Sequence, residues 1–324
     1  MRPKILAIMP PGDDVLLHSL AERLQERLAA YDFHAVTGMT DAAPYASEAE
    51  IIIAFFLSDE IVRQAARLKW VQCVISGVDG VLTPSLPSDV LVTNTRGTHG
   101  PPVSEAALGA MLALSRGLPQ LVQAQQKKIW NPLTPSLLYG KTVGIVGVGI
   151  IAEALAQRSK AMGMNVVGVT ATPRNIPGFD EMRLRSELAV VAADFDYMVV
   201  ISPLTEETRG MVNESVLRAM KKTAYLINLG RGAVIDEAAL LTALRERWIA
   251  GAALDTFAQE PLPAFHPFWD LDNVLISPHM GGRHIGAFDA LIEIFEQNLR
   301  HYLVGETHKM INLVQRNTRK DNVG

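Results

Sequence analysis

The chain has 324 residues, 48% of them hydrophobic, and a formal net charge of −4, enough apolar material for a large core and, at about 150 residues per domain, for two domains. That charge balance argues against nucleic acid and anionic membrane as partners, because both call for clustered Lys and Arg. The single cysteine, Cys73, excludes an internal disulfide and a cysteine-based zinc site, and its apolar setting marks it as a core residue.

Arg2 and Lys4 precede only a short apolar run, which Pro10-Pro11-Gly12-Asp13-Asp14 interrupts before a signal-peptide core forms. No apolar stretch approaches the roughly 18 residues needed to cross a bilayer, so a cytoplasmic protein is expected. From there, short apolar runs at residues 5–9, 51–55, 71–75 and 91–95 alternate with longer stretches, among them a helical pattern over 15–29. The runs are apolar throughout, as expected of parallel strands covered by helices on both faces. Residues 103–126 predict a long helix whose small-residue face (Ala106, Ala107, Ala110, Met111, Leu114) suits another helix or a second subunit. Two prolines within 130–138 then break the pattern. A second series follows, with strands predicted at 143–146, 166–169, 197–201, 225–229, 252–254 and 274–276 and a last helix at 285–303. The basic, polar tail 316–324 reads as solvated. The fold class is α/β, with two doubly wound parallel-sheet domains.

Gly144-Ile145-Val146-Gly147-Val148-Gly149-Ile150-Ile151-Ala152 places G-x-G-x-x-A after a predicted strand and at the head of a predicted helix. Gly147 permits the tight turn, Gly149 lets backbone approach a pyrophosphate, and Ala152 lets the helix press on the sheet. The helix N-terminus offers unpaired N–H groups and a positive dipole to the phosphates. The acid expected about 20 residues later, where it would hydrogen-bond the adenosine ribose, is replaced by Thr170 in Val169-Thr170-Ala171-Thr172-Pro173-Arg174. Hydroxyls and Arg174 in place of a carboxylate favour NADP over NAD. A solvated Arg174 is the rival reading.

Three further segments put a reactive side chain just past a predicted strand: Asn228-Leu229-Gly230-Arg231-Gly232, Leu254-Asp255-Thr256-Phe257-Ala258-Gln259-Glu260, and Ser277-Pro278-His279-Met280-Gly281-Gly282. Ligands of open α/β sheets bind at these carboxyl ends. Singly, Arg231 reads equally as a surface ion-pair partner, Glu260 as a loop acid and His279 as a structural histidine.

Together with the fingerprint and with Ile201-Ser202-Pro203-Leu204-Thr205-Glu206-Glu207-Thr208-Arg209-Gly210, these segments resemble the D-isomer-specific 2-hydroxyacid dehydrogenase family over about residues 140–282. Weaker echoes lie at Ser76-Gly77-Val78-Asp79, Asn94-Thr95 and Val103-Ser104-Glu105. The resemblance implies a Rossmann dinucleotide-binding domain (102–285) inserted into a flavodoxin-like substrate domain (1–101 and 286–324), and a homodimer through 103–126. It implies that Arg231 orients the substrate's carboxylate and carbonyl, that His279 donates the proton in reduction and that Glu260 supports His279. Hydride transfer to C2 builds negative charge on the carbonyl oxygen, which a planar, permanent cation stabilises. An imidazole titrates near neutrality, and a paired carboxylate favours its charged form.

The same likeness assigns Ser76, Gly77 and Val78 to the substrate carboxylate and Ile150 and Ile151 to the pyrophosphate through their backbone. Pro203, Leu229, Gly230 and Arg231 line the dinucleotide; Asp255 contacts the nicotinamide carboxamide, and His279, Gly281 and Gly282 lie along the ring. The implied cofactor is NADP or NAD and the implied substrate a small 2-oxo or 2-hydroxy acid, with glyoxylate or hydroxypyruvate foremost. A dinucleotide-sensing corepressor on the same fold is the alternative. Arg96 and His99 add positive character, suited either to a second anionic group on the substrate or to a solvated loop. No metal-ligand spacing is present, so no metal is expected.

Overall fold

The computed structural model describes residues 2–12 and 15–315; the reading of 316–324 as a solvated tail lies outside them. The chain forms two compact units, one comprising the sequence up to Thr98 and again from His284, the other His99–Arg283.

The first unit opens with β1 (Lys4–Met9), α1 (Val15–Arg27), β2 (Asp32–Thr37), α2 (Gly38–Ala46), β3 (Ile51–Ala54), α3 (Asp59–Gln64), β4 (Trp70–Cys73) and β5 (Leu91–Thr93). All strands run parallel in the order β2-β1-β3-β4-β5, the order of flavodoxin-like sheets. Along β1, Ile5, Ala7 and Met9 enter one core with Leu20 and Leu24 of α1. Leu6 and Ile8 enter another with Ala42 and Ala46 of α2 and Ile61 of α3. Burial on both faces is why the run is apolar at consecutive positions. The sequence predicts no strand at β2. It lies at the sheet edge with Asp32, His34 and Thr37 exposed, so no apolar run announces it.

The second unit contains α4 (Gly100–Arg116), α5 (Leu118–Gln126), β6 (Thr142–Val146), α6 (Ile150–Ala161), β7 (Asn165–Thr170), β8 (Glu181–Leu184), α7 (Leu188–Val191), β9 (Tyr197–Val200), α8 (Glu214–Ala219), β10 (Tyr225–Asn228), α9 (Glu237–Arg245), β11 (Gly251–Leu254) and β12 (Val274–Ile276). Its sheet is parallel in the order β12-β11-β10-β9-β6-β7-β8. Counted from β6 this is the 3-2-1-4-5-6 dinucleotide-binding order with one strand added, and the order reverses between β6 and β9. One face packs on α4 and α6, through Met111, Leu155 and Ala156 among others; the other packs on α7, α8 and α9. The single helix predicted over 103–126 is two helices. Gly117 adopts φ +66°, its N–H closes α4 on Leu114, and Pro119 lies in the first turn of α5. The edge strand β8, Glu-Met-Arg-Leu, again lacks an apolar run.

The chain returns to the first unit with α10 (Asp289–Leu303), which begins four residues after the start predicted for it. Phe295 stacks on Trp70 with ring centroids 5.0 Å apart. Arg27 of α1 makes two 2.6 Å bonds to the Glu296 carboxylate, and Arg23 pairs with Asp289. Beyond α10, Leu313 bridges antiparallel to Thr93 and the Val314 N–H donates to the Val92 carbonyl at 2.8 Å, so the segment lies along β5.

Candidate active site

The reversal between β6 and β9 in the second unit is occupied by Gly147 and Ser202. Gly147 has φ +100°, and a Cβ there would stand 2.6 Å from Ser202 Oγ and 2.7 Å from its Cα. Both the turn and the close approach therefore require glycine. Gly149 caps α6, and nothing lies within 4 Å of where its side chain would be. Open space before the N-terminus of a twelve-residue helix suits the pyrophosphate of a dinucleotide. Ile150 is exposed, Ile151 half-buried and Ala152 fully buried against the sheet. Thr170 ends β7 half-buried, and exposed Arg174 faces Glu153 of α6 at 3.9 Å. Pro203 is exposed, its carbonyl accepting a 2.7 Å bond from the Thr208 hydroxyl.

Past β10, β11 and β12 the structure brings the predicted reactive groups onto interlocking loops. His279 Nδ1 lies 2.7 Å from Glu260 Oε2, and the second Glu260 oxygen, Oε1, accepts the Phe257 N–H at 3.0 Å. The carboxylate is thus fixed by its own loop before it meets the imidazole. His279 takes φ +50°, and its N–H donates to the carbonyls of Asp255 (2.8 Å) and Ser277 (3.1 Å). Asp255, buried, accepts the Ser277 hydroxyl at 2.5 Å and the Met280 N–H at 2.9 Å on Oδ1, and the Gly281 N–H at 2.9 Å on Oδ2. Asp255 therefore shapes the turn that carries His279. Its Oδ2, with one donor, keeps acceptor capacity for a carboxamide.

Arg231 is half-buried, and its Nη1 donates to the Gly230 carbonyl at 2.9 Å. Asn228 braces the loop from within: its Oδ1 accepts from the Gly230 N–H at 3.2 Å and its amide donates to the Arg231 carbonyl at 3.3 Å. Leu229 is half-buried beside it. Next to Arg231, a Cβ on Gly232 would fall 1.9 Å from the Phe257 carbonyl carbon and 2.3 Å from the Ala258 nitrogen. Backbone on backbone at that distance couples the Arg231 loop to the Glu260 loop. Gly281 is buried and Gly282 half-buried, the latter against the His99 ring. The sequence offered no role for Ser277, although it stands two residues before His279. The Gly232–Phe257 approach carries no local signal at all.

In the first unit, half-buried Ser76, Gly77 and Val78 follow β4. The Cys73 thiol donates to the Gly77 carbonyl at 3.1 Å. The Ser76 hydroxyl reaches the Thr95 carbonyl at 3.3 Å, and the Asn94 amide reaches the Ser76 carbonyl at 2.8 Å. This segment is therefore knitted to the one after β5.

Residues 108–281 match the family profile described as D-isomer specific 2-hydroxyacid dehydrogenase, NAD binding domain. The chain belongs to this family. The dehydrogenase is 38% identical over 259 residues to the glyoxylate reductase of Thermofilum pendens, covering 76% of this chain and 75% of that one. Among solved structures it resembles a D-isomer specific 2-hydroxyacid dehydrogenase family protein from Aeromonas salmonicida, with TM-score 0.84 and 31% identity over 97% of this chain and 99% of the other. It also resembles the Xanthobacter autotrophicus Py2 family member solved with NADPH and MES, with TM-score 0.79 and 29% identity over 97% and 98%. As a family member, the dehydrogenase is an NAD(P)-dependent oxidoreductase of 2-oxo and 2-hydroxy acids.

Proposed function

We propose that the protein reduces the C2 carbonyl of a small 2-oxo acid, glyoxylate or hydroxypyruvate, to the D-2-hydroxy acid. The observation that carries this reading is the 2.7 Å contact between His279 Nδ1 and Glu260 Oε2. Relatives named as glyoxylate reductases support the choice of substrate. Bound NAD(P)H supplies the hydride. With Nδ1 committed to Glu260, Nε2 is the ring nitrogen left for the substrate oxygen, and the charged imidazole releases its proton there as the alcohol forms. In the reverse direction the neutral ring accepts that proton. Arg231 steadies the developing oxyanion and the carboxylate with a guanidinium that never loses its charge. Ser76, Gly77 and Val78 hold the carboxylate from their backbone. These assignments cast the first unit as the substrate domain and the second as the dinucleotide domain.

For the dinucleotide, we assign Gly147, Gly149, Ile150 and Ile151 to the pyrophosphate. Pro203, Leu229, Gly230, Arg231, Asp255, His279, Gly281 and Gly282 are assigned to the nicotinamide half, and Thr170 and Arg174 to the adenosine ribose. A carboxylate at 170 would repel a 2′-phosphate; Thr170 does not, and Arg174 is held by Glu153 only at 3.9 Å, so NADP is preferred. We further assign a homodimer built on α4, α5 and the segment after them, where Leu121, Val122, Ile129, Trp130, Leu137 and Tyr139 are exposed. A cytoplasmic location is proposed. Among the described residues no helix is long and apolar enough to cross a membrane. The relatives lend no support to a corepressor role.

The test is a panel of 2-oxo acids assayed with NADH and NADPH. Glyoxylate or hydroxypyruvate should turn over, with kcat/KM for NADPH above that for NADH. His279→Ala should lower kcat by about a hundredfold to ten-thousandfold while leaving dinucleotide Kd within about twofold. An unchanged kcat would overturn the assignment of His279.

A further inference from the structure

Arg96 stands in a loop whose backbone is tied down on both sides. Its N–H donates to Asn94 Oδ1 at 3.0 Å, and its carbonyl accepts the Asn312 side-chain amide at 2.7 Å. The same Asn312 amide also reaches the Asn94 carbonyl at 3.1 Å. Asn312 holds φ +56°, a conformation Asn tolerates better than most residues, and it sits in the segment that lies along β5. Two asparagines, 218 positions apart, thus grip the peptides flanking Arg96.

The preceding residue, Thr95, is joined to the Ser76 segment three ways. Its carbonyl accepts the Ser76 hydroxyl at 3.3 Å, its N–H donates to the Ile75 carbonyl at 3.4 Å, and its hydroxyl donates to the Val74 carbonyl at 3.1 Å. Arg96 is therefore rooted one peptide from the segment assigned to the substrate's carboxylate. Its head group differs from its root. Arg96 is exposed, and among the described residues no hydrogen bond or ion pair engages its guanidinium. Backbone anchoring limits the entropy lost when a planar, bidentate cation captures a carboxylate or phosphate.

We propose that Arg96 is a specificity-determining residue, recognising a second anionic group on the 2-oxo acid, and that Asn312 is the positioning residue that aims it. The proposal rests on the reading that Ser76, Gly77 and Val78 hold the C1 carboxylate. Glyoxylate has nothing to offer Arg96. A 2-oxo dicarboxylate or a phosphorylated 2-oxo acid has.

Steady-state kinetics with NADPH on glyoxylate, oxaloacetate, 2-oxoglutarate and phosphohydroxypyruvate test this. The wild-type protein should reduce at least one dianionic or trianionic acid in addition to glyoxylate; reduction of glyoxylate alone would overturn the role of Arg96. The carboxylate and phosphate arms identify which anion fits. Arg96→Gln should lower kcat/KM for that acid by about fivefold, the scale of one solvent-facing ion pair, chiefly through KM, with glyoxylate kinetics and NADPH Kd within about twofold. Asn312→Gly keeps the backbone conformation accessible and should raise KM for the same acid with kcat retained. Equal effects of Arg96→Gln on glyoxylate and the dianion, or none on either, would overturn the role of Arg96. An unaltered KM in Asn312→Gly would overturn the positioning role. Hydroxypyruvate is the control: if the wild-type protein reduces neither it nor any of the four acids, the failure lies in the underlying reductase reading.

Discussion

Asp255, besides the nicotinamide contact proposed for it, holds the backbone turn on which His279 stands. Three donors, Ser277 Oγ, Met280 N–H and Gly281 N–H, converge on it and shape the turn that carries His279. In Asp255→Asn one acceptor becomes an NH2 facing a donor, a buried mismatch of about 1–3 kcal/mol. The expected result is a lower urea midpoint together with a lower kcat, while His279→Ala lowers kcat alone. Cys73 gives a second prediction. Burial pushes its thiol up to about 11, against about 8.5 for a free thiol. The folded state therefore favours the neutral form, and the stability this contributes is complete below the unfolded value and is lost as pH rises toward 11. Native protein at pH 8 should leave Cys73 unmodified by a disulfide-exchange reagent, and guanidinium should release one reactive thiol. The positions of Arg231, Glu260 and His279 past predicted strands were legible, because each follows an apolar run and has Gly or Pro beside it; the roles proposed for them rest on the family resemblance. Ser277 and Asn312 were not legible, since their partners lie 22 and 218 positions away and no local pattern links them.

Loops and helices carry their own consequences. Gly232 sets the spacing between the β10 and β11 loops, and Gly232→Ala puts a methyl 1.9 Å from backbone that no rotamer change can clear. Overpacking of this kind costs about 1–3 kcal/mol. Denaturation should report that loss, and kcat should fall with it because Arg231 and Glu260 are displaced together. Between α1 and α10, Arg27 holds the Glu296 carboxyl below its ordinary range, chiefly by direct hydrogen bonding. A lowered folded value contributes stability above the unfolded pKa, about 4.3, that is lost as pH falls through the folded one. Glu296→Gln should therefore lower the thermal midpoint at pH 7, and the gap from wild type should close as pH drops below about 4. At this scale the buried parallel strands were readable as apolar runs. The edge strands β2 and β8 were not, because one side of each meets solvent and polar residues interrupt the run.

Across the whole molecule, the two series of alternating strands and helices were readable because each sheet is covered on both faces. The exposure of the apolar residues of α5 was not, since an apolar side chain looks the same in sequence whether its own core buries it or solvent meets it. In the second unit, α5 has no buried residue, and Leu121, Val122, Ile129, Trp130, Leu137 and Tyr139 are exposed on or after it. An open groove of about 790 Å3 lies between α5 and the segment that follows, lined by Leu118, Leu121, Ile129, Trp130 and Leu133. Apolar surface gathered in this way favours association, at roughly 25 cal/mol for each Å2 removed from water. A homodimer would bury it twice, once on each protomer, because a two-fold interface uses the same patch on both chains. Sedimentation equilibrium should give twice the 35.3 kDa chain mass. Leu121→Lys combined with Val122→Glu should shift that mass to a single chain without loss of helical circular dichroism, since neither residue is buried within its own unit. A wild-type protein that remains a single chain at micromolar concentration would refute the assigned homodimer, and an unchanged mass in the double variant would move the interface elsewhere.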